Sequence, residues 1–413
     1  MFSALEQAKK AKIAEGFLRQ ASSEQKNKFL LLLADLLEEN IPKILVENKN
    51  DLSDTVDFTP AIIRRLQLSE DSIKGIAEGV KSIAKAEDPV GKEAGSWVRP
   101  NGLKIIKTRV PIGVIACIFE SRPNVIVDIA ALCVKSGNAA ILRGGKEAQH
   151  SNDFLMSIIK QTLVKTDFPE DAVQQLEDRR YEAVDDLIQL DEYLDLVIPR
   201  GRESLIKSIS AKAKVPVIKH MRGLCHAYVD SEADVDKAIR IVVNAKTSNP
   251  ATCNSIETTL VHQAVADQIM PRLIQELSDR NVEIRGCPRT QKYSSKVLPA
   301  TEEDWSAEYL DLILAVKIVD SFEEAISHIQ KYSSGLTDSI ITENKTKQEK
   351  FIRAIDSATV LVNASNRFTD GGEFGLGAEI GISTSRIHMR GPMGLEDLTV
   401  CRYVVIGNGQ VRE

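Results

Sequence analysis

Short runs of almost wholly apolar residues recur through this chain, each followed by a stretch of helical periodicity. Val114-Ile115-Ala116-Cys117-Ile118-Phe119, Ala139-Ala140-Ile141-Leu142 and Leu194-Asp195-Leu196-Val197-Ile198 read as strands, with helices from Asp128 to Lys135, Asp153 to Val164 and from about Glu203. A strand with so little polar alternation has no face to give to water. It belongs in a parallel sheet covered on both sides, because parallel neighbours need crossovers and the crossovers are helices. A second block repeats the cadence. Its strands are His226 to Val229, Leu312 to Val316, Ser339 to Ile341 and Thr359 to Val362, and its helices are Asp234 to Asn244 and Ala264 to Leu277. Two α/β domains are therefore expected, which 413 residues can supply.

The flanks read differently. The first 60 residues are helical, with Ser22 as N-cap, Gln25 as its capping-box partner, and Phe29, Leu30, Leu33 and Leu37 on one face. Ser96-Trp97-Val98-Arg99 and Leu103 to Thr108 flank Pro100-Asn101-Gly102, a hairpin signal because Asn and Gly tolerate positive φ. That hairpin is either an assembly arm or an internal surface hairpin, and a last strand, Thr399 to Ile406, is available to pair with it. Between Asn366 and Ser385, Gly371, Gly372, Gly375, Gly377 and Gly381 predict an irregular loop.

A net charge of -6 opposes nonspecific attraction to nucleic acid or an anionic membrane, and no aromatic nucleic-acid motif is present. No stretch supplies the roughly 20 apolar residues needed to span a bilayer. Charges arrive too early after Met1 for a signal peptide, so the expected location is the cytoplasm. The cysteines Cys117, Cys133, Cys225, Cys253, Cys287 and Cys401 are widely spaced without a Cys-x-x-Cys pair, the pattern of individual thiols in a reducing compartment. No metal is expected, since no Cys or His set completes a zinc spacing.

Cys253 stands apart from the other thiols. Its neighbours in Asn249-Pro250-Ala251-Thr252-Cys253-Asn254-Ser255 are mostly polar, whereas a structural thiol usually sits among apolar residues. It reads as a nucleophile. Two further segments suit phosphate. Ile141-Leu142-Arg143-Gly144-Gly145-Lys146 leaves a strand through paired glycines that let backbone approach a ligand, with Arg143 and Lys146 as cations. Pro199-Arg200-Gly201-Arg202 feeds a helix N-terminus, where unsatisfied amides favour anions.

These segments, with Phe119-Glu120-Ser121-Arg122-Pro123-Asn124-Val125, Val217-Ile218-Lys219-His220, Cys225 to Asp230, Asn244-Ala245-Lys246, Cys253-Asn254 and Gly375 to Ser385, resemble the glutamate-5-semialdehyde dehydrogenases (gamma-glutamyl phosphate reductases) of the aldehyde dehydrogenase superfamily, over nearly the full chain. The resemblance implies an aldehyde dehydrogenase-like α/β fold with an NADP-binding domain at 1–91 and 111–224, a catalytic domain at 225–385 and an oligomerisation element at 92–110 and 394–413. It implies NADPH-dependent reduction of L-glutamyl 5-phosphate to L-glutamate 5-semialdehyde, with release of phosphate, in proline biosynthesis. A homo-oligomer and coupling to glutamate 5-kinase are expected with it.

Under that resemblance Cys253 is the nucleophile, and Asn124 is either an oxyanion donor or a turn-forming residue. Arg143, Gly144, Gly145, Lys146, Arg200, Gly201 and Glu308 fall to the cofactor. Lys146 stands where an acid is often associated with NAD, and Arg202 where the family commonly has glycine. Arg122 and Lys246 are substrate-anion candidates, Glu120 faces the substrate ammonium, and Arg367, Ser383, Ser385 and Arg386 surround the pocket. His220 is a substrate or proton-transfer residue or a pocket histidine, and His226 is structural. Ordinary aldehyde dehydrogenases hydrolyse their thioester with a glutamate before a glycine pair, but Val217 to Cys225 holds no carboxylate. That departure favours reduction. Two alternatives are an acylating dehydrogenase using a coenzyme A thioester and a noncatalytic NADP-binding partner of glutamate 5-kinase.

Overall fold

The structure is a computed structural model that describes residues 3–54, 60–219, 222–376 and 378–412. The chain divides into two compact units, Met1–Lys219 with Gly375–Gly381 and Met393–Glu413, and His220–Phe374 with Ile382–Pro392. The cut falls a few residues earlier than the sequence reading placed it, and part of the glycine loop returns to the first unit.

In the first unit the helix Ser23–Glu39 starts as its capping box requires. The Gln25 N–H donates to Ser22 Oγ at 3.2 Å, and the Ser22 N–H donates to Gln25 Oε1 at 3.0 Å. Phe29, Leu30, Leu33 and Leu37 are all buried. Strands Glu93–Val98 (β1) and Lys104–Pro111 (β2) form the hairpin. Of the two turn residues only Gly102 takes a positive φ, +86°, while its N–H donates to Arg99 O at 2.9 Å. The C-terminal strand Thr399–Ile406 pairs antiparallel with β2, from Thr399 opposite Pro111 to Ile406 opposite Lys104. Trp97 and Tyr403 meet edge to face across this sheet, ring centres 6.2 Å apart.

The unit's second sheet is parallel. Strands Val114–Phe119 (β3), Ala139–Arg143 (β4), Val173–Gln175 (β5) and Leu196–Arg200 (β6) lie in the order β5-β4-β3-β6. β6 starts after Asp195, which the sequence reading had put inside a strand. The reason is chemical: Asp195 Oδ2 accepts from the Val114 N–H at 2.8 Å and from Lys12 Nζ at 2.8 Å.

The second unit holds seven parallel strands: Cys225–Val229 (β7), Ile256–His262 (β8), Glu283–Gly286 (β9), Leu298–Pro299 (β10), Ile313–Val319 (β11), Thr337–Ile341 (β12) and Thr359–Val362 (β13), in the order β10-β9-β11-β8-β7-β12-β13. β8 is central, yet its sequence hides it. Glu257, Thr258 and Thr259 break the apolar run, and all three are buried. Helices Val235–Thr247, capped by Asp234, and Gln263–Ser278 pack their apolar faces on this sheet with Ile269, Leu273, Val242 and Ala238 in the core.

Candidate active site

The order β5-β4-β3-β6 reverses direction between β3 and β6, the point in an open α/β sheet where ligands bind beyond the strand ends. A cavity of about 380 Å³ opens there. Phe119, Val184, Leu205 and Ile209 give it apolar wall, and Arg143, Lys146, Arg202 and Lys212 give it a basic rim. Such a volume lies within the roughly 300–1,000 Å³ of small-molecule sites. Next to it, a side chain at Gly144 would displace Asn152, because a Cβ there would stand 2.2 Å from Asn152 Nδ2. Arg143 is held over the Tyr181 ring at 5.2 Å and donates to Gly144 O and Arg179 O at 2.8 and 3.2 Å. Lys146 is exposed at the rim. Gly145 in the wall, a cationic rim and an apolar face suit a dinucleotide.

Arg200 and Gly201 do not line this cavity. The Arg200 guanidinium instead donates to Ile380 O and lies where a Cβ on Gly381 would stand, so it braces the glycine loop. Gly201 leaves room for the Glu120 carboxylate, 2.6 Å from where its Cβ would be. Glu120, expected to face the substrate ammonium, lines the cavity, where its Oε2 accepts from the Arg202 N–H at 2.8 Å and its Oε1 is 3.5 Å from the Arg202 guanidinium. Arg122 and Asn124 follow on the same segment, with Asn124 opening the helix Asn124–Lys135. Asn124 Nδ2 donates to Asp128 Oδ2 at 2.9 Å, one helical turn on. Burial pushes Asp128 up to about 6, against the opposing pull of Asn124 and Arg200.

In the second unit Cys253 lies in the turn between the helix Val235–Thr247 and β8. Its thiol is half-buried against the sheet core. Gly223 passes so close that a Cβ would stand 2.1 Å from the Cys253 carbonyl oxygen. That carbonyl also accepts from the Cys225 thiol at 3.2 Å. Cys117 and Cys225 are fully buried and burial raises both thiols, Cys117 to about 12, so neither is a ready thiolate.

Arg367, expected at the substrate, ties the cysteine turn together. Its guanidinium donates to Ser248 Oγ at 3.2 Å, Thr252 Oγ1 at 2.8 Å and Asn254 Oδ1. Asn254 in turn donates to Thr369 O at 2.8 Å. Glu308, expected at the cofactor, has a contact the sequence did not foresee: its Oε1 accepts from the Gly223 N–H at 2.7 Å, on the segment that presses against Cys253.

Lys246 is the other candidate expected at a substrate anion. It is fully buried, with Nζ 2.7 Å from Glu257 Oε2, so its ammonium has a protein partner and no surface for a substrate anion. Burial pushes Lys246 down and Glu257 up, both towards neutrality. Ser383 is buried and accepts from the Ser385 N–H at 3.1 Å. Arg386 is exposed and paired with Asp356, which Arg390 also grips at 2.6 Å. His226 is buried in β7, its Nδ1 3.2 Å from Asp338 Oδ1. His220 and Gly377 lie outside the described residues.

Sequence reasoning missed Glu257 and Glu147. Neither sits in a telling pattern; each matters through the partner that the fold brings to it, Lys246 for Glu257 and Ser121 for Glu147. Among the described residues no group of three or more His, Cys, Asp or Glu is arranged to hold a metal, and no helix is long and apolar enough to cross a membrane.

A model of the aldehyde dehydrogenase family matches residues 2–291 and 302–403, and the chain belongs to that family. Gamma-glutamyl phosphate reductase from Caldanaerobacter subterraneus subsp. tengcongensis is 50% identical over 408 residues, covering 98% of this chain and 99% of its own. The enzyme of that name from Halothermothrix orenii is 51% identical over 409 residues, 98% of each. The crystal structure of gamma-glutamyl phosphate reductase from Thermotoga maritima superposes with a TM-score of 0.96 at 45% identity, covering 100% of both chains. Within the family, then, the chain groups with the gamma-glutamyl phosphate reductases, and the α/β fold expected from the sequence is borne out.

Proposed function

We propose that this chain reduces L-glutamyl 5-phosphate to L-glutamate 5-semialdehyde, releasing phosphate, as a step of proline biosynthesis. The name shared by its relatives at about half identity over the full length supports the substrate. The observation that carries the chemistry is Cys253: a half-buried thiol on a turn braced by Arg367 and Asn254, while Cys117 and Cys225 are shut in the sheets.

In this reading the Cys253 thiolate attacks the acyl carbon; the carbon–sulfur bond forms as the bond to phosphate breaks, leaving a thioester. Sulfur suits the task because the acyl group stays electrophilic. Charge on the acyl oxygen calls for aimed donors, and we assign that work to the Cys253 N–H and the Asn124 amide. Asn124 has two N–H bonds and Asp128 takes one, which leaves one to donate. Arg143, Gly144, Gly145 and Lys146 would hold the cofactor, with the Lys146 ammonium favouring the extra phosphate of NADPH. Bound there, NADPH would supply the hydride to the thioester carbon, and the carbon–sulfur bond then breaks to release the aldehyde and return the Cys253 thiolate. Of the substrate contacts, Arg122 is retained for an anion, and Lys246 and Glu120 are not. The absence of a carboxylate between Val217 and Cys225 leaves no water-activating acid on that segment. A cytoplasmic location, a homo-oligomer built through 92–110 and 394–413, and coupling to glutamate 5-kinase belong to the same proposal.

The test is the reverse reaction. Purified protein with glutamate semialdehyde should reduce NADP only when phosphate is present, and Cys253→Ser should lose the activity. Turnover that requires coenzyme A in place of phosphate would identify the acylating alternative, and phosphate-independent formation of glutamate would overturn the proposal. An inert wild-type protein that still binds NADP would favour the noncatalytic partner.

A further inference from the structure

The segment between β3 and the helix Asn124–Lys135 contains one residue in an unusual conformation. Ser121 has φ = +47°, in the left-handed region that side-chain-bearing residues rarely adopt. After it Pro123 is already helical, at φ -60° and ψ -31°, and the Val125 N–H donates to Arg122 O at 3.1 Å. The direction in which the chain enters that helix is therefore set largely at Ser121. Strain of this kind persists only where the surroundings over-determine it.

The surroundings here are Glu147. Its Oε1 accepts from both the Ser121 N–H, at 2.7 Å, and the Ser121 hydroxyl, at 2.6 Å. The carboxylate reaches that position because residue 145 is glycine: a Cβ there would stand 2.2 Å from the same oxygen. The preceding residue is held as well, since Glu120 accepts from the Arg202 N–H at 2.8 Å. Both holds come from the loops that line the cofactor cavity.

We infer that Glu147 is a positioning residue of the reductase reaction: it fixes Ser121 in its left-handed conformation and so aims Arg122 and Asn124, tying their placement to the cofactor-binding loop that carries Glu147. This rests on the roles given above to Arg122 and Asn124. It separates Glu147 from its neighbour Lys146, which is exposed at the cavity rim and has no such tie to the segment.

The experiment measures kcat, KM and NADPH affinity for Glu147→Ala, Glu147→Gln, Ser121→Gly and the double variant Ser121→Gly with Glu147→Ala. Displacing a reacting group by up to an ångström costs up to about a hundredfold, so Glu147→Ala should lower kcat by about ten- to a hundredfold and leave NADPH affinity unchanged. Glu147→Gln keeps an oxygen acceptor and should recover most of that loss. Glycine adopts positive φ without support, so in the Ser121→Gly background removing Glu147 should cost much less. An equal cost in both backgrounds would overturn the inference. So would a raised NADPH dissociation constant with unchanged kcat, which would make Glu147 a cofactor contact, or a lowered melting temperature with normal kcat, which would make it structural only. Hydrogen exchange at the Ser121 amide reads the hold without any turnover. Lost protection in Glu147→Ala beside an inactive wild type would support the hold and overturn the activity alone.

Discussion

Beside the cavity of the first unit, the loop fits because side chains are missing: Asn152 and Glu147 occupy the places that Cβ atoms on Gly144 and Gly145 would take. Beneath the cysteine turn of the second unit the space is full. Arg367 ties Ser248, Thr252 and Asn254 together, and the buried Lys246–Glu257 pair lies between the helix before the turn and the strand after it. The contrast suits the roles proposed above for each place. A loop that cradles phosphates must offer N–H groups to something absent, which requires small residues and open volume. A nucleophile must be held in one geometry, which requires its turn to be cross-linked from the inside. Hence the first site should be damaged by adding atoms and the second by removing them.

The largest expected effect is at Lys246. Truncation to Lys246→Met strands Glu257 in the interior, and breaking a buried pair from one side costs about 3–5 kcal/mol. Glu257 is already pushed towards its neutral form, so the lower end of that range is expected in urea unfolding. Replacing both partners with apolar residues should recover most of the loss. A single variant as stable as the parent would remove the interior bracing from the contrast.

Arg367→Ala comes next. It deletes three contacts to the turn without touching the first unit's cavity, so kcat should fall by about ten- to a hundredfold while NADPH affinity stays put. If KM for the acyl phosphate rose instead and kcat held, Arg367 would be the substrate contact that the sequence alone suggested. The smallest effect is the addition of one methyl. Gly144→Ala forces Asn152 or the Phe119 ring to move, and overpacking of this sort costs about 1–3 kcal/mol. It should appear as weaker NADPH binding with an unchanged rate at saturating cofactor. Unchanged binding would break the comparison at its other end.

Much of the scaffold was legible before any coordinates. β3, β4 and β13 announce themselves by unbroken apolar runs, the Ser22 capping box by two residues three apart, and the hairpin by Asn101-Gly102. β8 was not legible, because a strand that buries Glu257 looks polar until Lys246, eleven residues away, is known to neutralise it. The same limit governs the sites. Glycine pairs and a thiol among polar neighbours are local signals, so the loop Arg143 to Lys146 and Cys253 could be nominated from the sequence directly. Arg367, Glu120 and Lys246 could be picked out by type but not by task.

By itself, then, the sequence determined the α/β class and nominated the loop Arg143 to Lys146 and, among the thiols, Cys253, since each reading follows from short-range chemistry of neighbouring residues. Only the tertiary structure decided which charged groups remain open to a ligand and which are taken by the protein. Asp195 was taken by Val114 and Lys12, Glu120 by Arg202, Ser121 by Glu147, and Lys246 by Glu257. A charge or hydroxyl is satisfied by whatever the fold brings within about 3 Å, and apart from the nearby Lys246–Glu257 pair these partners lie tens of residues or more away along the chain.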